Sequence, residues 1–330
     1  MVWGERSQVS ENSLFRFIDL VFDGNQGLYY LLSSYQVTGL FHYDLESRYE
    51  KRLFHKNDFM PYKMDFSPAR REFVACCHEH DGSANLTLLN VEGKVKHSLT
   101  AGDSRDSHPT FHPGEPSLIF YQTSGITRNA DGVMLSISPE SVNAMDLESG
   151  KITELLDDPA YDYLSPKADE SGNLYCIRRP YRSSHITMWQ RLTEVLLFPI
   201  HFLVAIVGFI NLFNHLFGNK AQKAGGPDEK QPNPQKHIHV FGEAINLAKV
   251  LKAQNKPDKI SLVPKTYELI CLTTEGEITV IAHNVCSFDI LADGSLVYSN
   301  GFKVQHTSSG NAKTIFKHDI IEFIKATPYS

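Results

Sequence analysis

The sequence predicts an all-β protein: a β-propeller of about six four-stranded blades, with an apolar helical insertion looped out of blade four. Two observations carry that expectation. A strand–turn–strand unit recurs at intervals of about 45 residues, the length of one blade. A long charge-free stretch then interrupts the fourth copy.

The clearest turns are Phe22-Asp23-Gly24-Asn25, Phe66-Ser67-Pro68-Ala69 and Phe111-His112-Pro113-Gly114. Weaker copies follow at Ala168-Asp169-Glu170-Ser171-Gly172, Val263-Pro264-Lys265 and Leu291-Ala292-Asp293-Gly294. Gly, Pro, Asp and Asn supply the backbone angles of tight turns. After each turn comes an apolar run such as Gly27–Leu32, Ser117–Tyr121, Leu174–Ile177 or Ser295–Tyr298. Runs rich in β-branched and aromatic residues fit strands buried on both faces. Between about fifteen and thirty residues past the turn, a third strand enters an acidic or glycine turn, as at Leu40–Glu46, Leu88–Gly93 and Ala144–Gly150. Lys151–Leu156 then reads as an edge strand. The organisation expected is a tail at 1–11, blades one to four over 12–181, the insertion and linker at 182–236, and the remaining blades over 237–330. A β-sandwich or a pair of small β-domains is the rival architecture, but neither would readily supply so regular a period.

Asp65-Phe66-Ser67-Pro68, followed by Phe73-Val74-Ala75-Cys76 and then Asp81-Gly82, resembles the repeats of TolB-like, WD-type propellers. In that family an aromatic or apolar residue precedes Ser-Pro-Asp-Gly and an apolar strand. The resemblance covers most of 12–181 and, more weakly, 237–330. It departs in the turns, since Ser-Pro survives at 67–68 and Asp-Gly mainly at 23–24 and 293–294. What it implies is the propeller class.

Blade four begins at Tyr161–Leu164, its second strand is Leu174–Arg178, and its third is expected to resume at His237–Gly242. Between them, no charged residue occurs from Val195 to Phe217. That length could span a bilayer. A single pass would split the ring across the membrane, and both flanks are basic (Arg178, Arg179, Arg182 and Arg191 before; Lys220, Lys223, Lys230 and Lys236 after). Both ends therefore belong on the cytoplasmic side. The expectation is one-sided membrane contact, as a re-entrant hairpin or an interfacial helix, through Leu196, Phe198, Phe202, Leu203, Val204, Ile206, Val207, Phe209, Ile210 and Phe213. An exposed apolar helix covered by a protein partner or by a second copy of this chain is the alternative. Residues 218–236 read as a flexible tether and 243–255 as a helix beside blade four.

Composition narrows the function. The 330 residues are 42% hydrophobic and 11% aromatic, enough for a large core, and the net charge of −6 argues against a general nucleic-acid binder. Five scattered cysteines form neither a zinc ribbon nor a disulfide framework, and the N-terminal residues show no secretory pattern, so a cytoplasmic protein is expected. On a strand, Cys76, His78 and His80 would share one face, as metal ligands can. Their place at a strand running into a hairpin favours a structural role. His237 and His239 are also strand neighbours without a third ligand, and Asn85-Leu86-Thr87 matches a glycosylation pattern inside a strand. No cofactor and no metal is indicated.

Propellers bind ligands at the mouth of the central channel, beside the innermost strands. The expected mouth residues are Tyr62, Lys63, Arg105, His108, Tyr161 and Asp162, a mixture able to hold a peptide or a small anion. The function expected is a non-catalytic scaffold at the inner face of a membrane, taking a protein partner or peptide on its propeller face. The rival is a metal-dependent, lactonase-like hydrolase using Asp19, Asp65, Asp106, Asp162 and Asp289 in the channel. A third reading is a sensor domain that exchanges conformational signals with the anchor.

Overall fold

The structure, a computed structural model, describes residues 16–34, 37–182, 237–240, 243–246, 250, 261–308, 311–318, 321 and 323–326. Its elements are all strands. Blade one is β1 (Arg16–Phe22), β2 (Gly27–Ser33), β3 (Thr38–Asp44) and β4 (Glu50–Lys56), antiparallel and in that order. Blade two is β5 (Pro61–Ser67), β6 (Glu72–His78), β7 (Ala84–Asn90) and β8 (Val95–Ser98). Blade three runs β9 (Ser104–Phe111), β10 (Leu118–Arg128), β12 (Ser141–Asp146) and β13 (Ile152–Leu156), with β11 (Met134–Ile137) on the extended end of β10. One parallel pairing, Ala84 with Arg105, joins blades two and three.

Blade four is β14 (Tyr161–Ala168), β15 (Leu174–Pro180), β18 (Glu268–Leu272) and β19 (Ile278–His283). Between β15 and β18, β16 (His237–Val240) and β17 (Glu243–Asn246) form a separate hairpin. Blade five is β20 (Ser287–Ile290), β21 (Leu296–Ser299), β22 (Lys303–Ser308) and β23 (Asn311–Lys317).

Several expectations are corrected here. Among the described residues there are five four-stranded blades, not six. Val263-Pro264-Lys265, taken as a blade-opening turn, instead leads into the third strand of blade four, with Tyr267 N–H donating to the Pro264 carbonyl. That third strand is β18, registered as Tyr175 opposite Cys271, whereas 237–240 belong to the hairpin. The helical insertion finds no support: every element with described bounds is a strand, and within 243–255, expected as a helix, 243–246 are strand β17 and Val250 is the one described residue in helical conformation. The ten apolar residues from Leu196 to Phe213 fall outside the described residues. No helix of the described residues is long and apolar enough to cross a membrane.

Alternation along each strand explains why the inner runs are apolar throughout. Phe73 and Ala75 pack toward blade one with Tyr29, Leu31 and Phe66, while Val74 and Cys76 pack toward blade three with Phe111, Ile119 and Tyr121. Phe120 turns to Tyr163 and Cys176 of blade four, and Leu164, Ile177 and Leu269 turn to Cys286, Phe288 and Leu296 of blade five. A strand sandwiched on both sides needs apolar residues at every position. Between blades five and one stand residues 323–326, with Phe323 stacked on Phe17 at 6.1 Å.

Candidate functional site

Each innermost strand hands its hydrogen bonds to the next blade. Asp19 Oδ2 accepts from Met64 N–H at 3.1 Å, and Asp65 Oδ2 accepts from Phe111 N–H at 2.8 Å. Thr110 donates to the Pro166 carbonyl at 2.9 Å, and Lys167 binds Asp289. Past blade five, Ile324 N–H donates to Ser287 Oγ at 3.0 Å and Ala326 N–H to Asp289 Oδ2 at 2.7 Å. Residues 324–326 thus stand toward β20 as each inner strand stands toward the one before it. Among the described residues, six inner positions surround the axis, five from blades and one from this late segment.

A cavity of about 420 Å³ opens where these strands begin. Counting three residues back from Phe22, Phe66, Phe111, Ala168 and Ile290 gives Asp19, Lys63, His108, Ser165 and Ser287, and all five line it. Each of the first four inner strands shifts register at or beside this level. His108 and Ser165 carry φ of +50° and +54°, and each precedes a proline. Proline has no N–H for the ladder, so a bulge at that point is the arrangement the sequence permits.

The electrostatics are concentrated. Asp19 is 2% exposed; burial opposes its charge, but Lys63 at 3.6 Å, Lys325 and the Met64 N–H hold its carboxyl below the ordinary range. Its Oδ1 is buried without a hydrogen-bond partner. Burial pushes Asp65 upward despite Lys325 and the Phe111 N–H. Burial and then Lys63 press His108 down to about 3, so its ring is neutral at physiological pH. Burial lowers Lys167 against the pull of Asp289, while for Lys325 the carboxylates of Asp19, Asp289 and Asp65 outweigh burial and keep it charged. Aromatic rings line the walls: Lys63 lies 5.9 Å from the Phe323 ring centre and Lys167 5.5 Å from that of Phe288.

Of the residues expected at the mouth, Tyr62, Lys63 and His108 line the cavity. Arg105, Tyr161 and Asp162 are not among its lining residues, because β9 and β14 start earlier than the bulge. Arg105 donates to the Gly82 carbonyl at 3.0 Å. Arg178 covers the Tyr161 ring at 4.9 Å. Asp162 binds Arg179 Nε at 2.9 Å and accepts from Glu140 N–H at 3.0 Å. Beside that pair, Glu140 accepts from Ser124 at 3.3 Å through Oε1, while its Oε2 is buried without a partner. Burial and the neighbouring Asp162 raise the Glu140 carboxyl to about 7, against Ser124, Arg179 and Arg105. Sequence reasoning missed Arg16, Phe17, Lys167, Ser287, Phe323 and Lys325. The fixed offset from the turn would have found Ser287; nothing repeated marks 323–325.

The five carboxylates of the rival hydrolase reading are dispersed as staples. Asp106 accepts from Thr123, and the other four are bound as above. Among the described residues no three His, Cys, Asp or Glu side chains converge as a metal site. Cys76 instead donates to the Asp106 carbonyl at 2.9 Å, His78 stacks on Tyr62 with ring centres 3.9 Å apart, and His80 is exposed.

No protein-family model and no curated protein matches the sequence. Among solved structures, TolB from Acinetobacter baumannii aligns with a TM-score of 0.52 and 9% identity over 95% of this chain. The fold is that of a TolB-like β-propeller. This chain spans 58% of that TolB's length, so the likeness concerns fold alone. A putative TolB from Agrobacterium tumefaciens (TM-score 0.47, 12% identity, 95% of this chain and 87% of that one) is also similar. So is tricorn protease (0.48, 11%, 91% of this chain and 30% of that one).

Proposed function

We propose that this TolB-like propeller is a non-catalytic recognition module that receives a peptide segment of a partner protein in the cavity at the head of its inner strands. The observation that carries this reading is the cavity itself. It has the volume of a ligand pocket and combines aromatic walls with a few charged groups, the composition that recognition sites favour. Hydrolysis at a channel metal would need carboxylates free to turn toward the ion. Asp19, Asp65, Asp106, Asp162 and Asp289 are already tied to neighbouring strands.

The test is selection of displayed peptides on the intact protein, followed by binding to two variants. Phe17→Ser alters the mouth, and Val280→Ser alters the exposed outer strand of blade four. Selected peptides should lose binding to the first variant alone. Binding indifferent to Phe17→Ser, or lost only with Val280→Ser, would place recognition elsewhere and end the reading.

On sequence grounds the proposal also includes attachment to the cytoplasmic face of a membrane through 195–217, a charge-free run between basic flanks. Intact chain should fractionate with membranes and a deletion of residues 186–218 should not. Equal solubility of both would remove the attachment from the proposal.

A further inference from the structure

Two ammonium groups at the cavity stand out by what they lack. Lys167 is engaged by Asp289, but Lys63 and Lys325 donate no hydrogen bond to a described residue. Lys63 has Asp19 at 3.6 Å, an ion-pair distance too long for a hydrogen bond. Lys325 is influenced by three carboxylates without pairing with any of them within 4 Å. Each ammonium offers three donors that open onto the cavity, the Lys63 side chain being 27% exposed and Lys325 partly exposed. Beside them, Asp19 Oδ1 is an acceptor with no donor, on a side chain 2% exposed. His108 is neutral there and adds no competing positive charge. Phe17 and Phe323, stacked at 6.1 Å, form an apolar wall beside these groups.

We propose that the cavity recognises a carboxylate flanked by an N–H or O–H donor and an apolar side chain, which is the chemistry of a peptide's free C-terminus or of a free amino or hydroxy acid. This rests on the recognition reading above. The carboxylate receives hydrogen bonds from Lys63 and Lys325, the adjacent donor satisfies Asp19 Oδ1, and the side chain lies on Phe17 and Phe323. Charge-assisted hydrogen bonds of this kind favour a free carboxylate over an amide by about tenfold or more.

The experiment is calorimetric titration of the full chain with Gly-Gly-Phe, its C-terminal amide, free phenylalanine, phenyllactate and inorganic phosphate. Gly-Gly-Phe should bind at least about tenfold more tightly than its amide, and Lys63→Met and Lys325→Met should each erase that preference. Should a lysine variant fail to fold, lysine ammonium nitrogen NMR of the wild-type protein gives a second measure: two ammonium signals should shift with the acid and not with the amide. Comparable binding of phenylalanine or phenyllactate assigns the site to free acids, and binding by the peptide alone assigns it to chain ends. Amide binding as tightly as the acid, or phosphate binding as tightly as Gly-Gly-Phe, overturns the inference. If no probe binds while displayed peptides still depend on Phe17, the inference fails and the recognition reading stands. Loss of that dependence too would sink both.

Discussion

Glu140→Gln should flatten part of the protein's pH-stability profile. In the folded state this carboxyl titrates at about 7 against an ordinary 4.5, because burial and then Asp162 oppose its charge. A carboxyl raised in this way holds its proton more tightly folded than unfolded. Below pH 4.5 the proton is bound in both states and the full stability is present. As pH rises from there toward 7, the unfolded chain releases the proton first and stability falls; above 7 the loss is complete. At about 1.4 kcal/mol per tenfold difference in proton affinity, the shift corresponds to about 3 kcal/mol. Partial solvent contact of the side chain screens some of it and leaves about 2 kcal/mol. Glutamine can keep the hydrogen bond from Ser124 and cannot ionise. Urea unfolding at pH 5 and pH 8.5, at matched ionic strength, supplies the comparison. Relative to wild type, the variant should gain about 2 kcal/mol on moving to the higher pH. A difference between the two proteins that stays constant across the range would refute the reasoning, whatever its absolute size.

Other expectations follow from packing and hydrogen bonding. Phe73→Ala, at a fully buried ring whose centre lies 4.7 Å from those of both Tyr29 and Phe66, should cost about 3–5 kcal/mol in urea unfolding. Asp65→Ala leaves the Phe111 N–H without its acceptor and should cost about 1–3 kcal/mol, whereas Asp65→Asn keeps an acceptor and should lose less than half as much. Gly301 has φ of +94°, and an added Cβ would lie 2.2 Å from Leu262 Cδ1. Gly301→Ala should therefore lose at least about 1 kcal/mol, and pairing it with Leu262→Ala should not restore stability, because the backbone strain remains. All five cysteines are buried free thiols; burial raises every one, Cys77 and Cys286 to about 12. A disulfide reagent should find essentially none reactive in the native protein and all five in denaturant.

Blades one to three were legible because no insertion longer than the β10–β11 hairpin interrupts them. Phe22 and Phe111 end their inner strands and Phe66 is the last residue but one of its own, and the following turn and apolar run mark the next strand. Blade four misled because its second and third strands are far apart in sequence, which broke the spacing and let Val263-Pro264 stand in for a blade opening. At the mouth, Tyr62, Lys63 and His108 were readable from their distance to the turn. Arg105, Tyr161 and Asp162 lie outside this cavity because the His108-Pro109 and Ser165-Pro166 bulges lengthen β9 and β14 toward the rim. Phe323 and Lys325 gave no signal: they reach the axis from a segment after the last repeat, placed by hydrogen bonds to Ser287 and Asp289 rather than by a strand pattern.

That late segment makes closure of the ring a problem in time. Phe17 and Phe323 meet across a separation of about 300 residues, whereas the other inner contacts join consecutive blades. Each blade can form and stack on its predecessor through short loops, so most of the sheet can zip from one end. The seam brings together the most distant parts of the chain and bears the largest loop-closure entropy. It is therefore expected to set last. Until it does, Asp19 and Asp65 lack the Lys325 ammonium, whose charge lowers the proton affinity of both carboxyls only once the final segment docks.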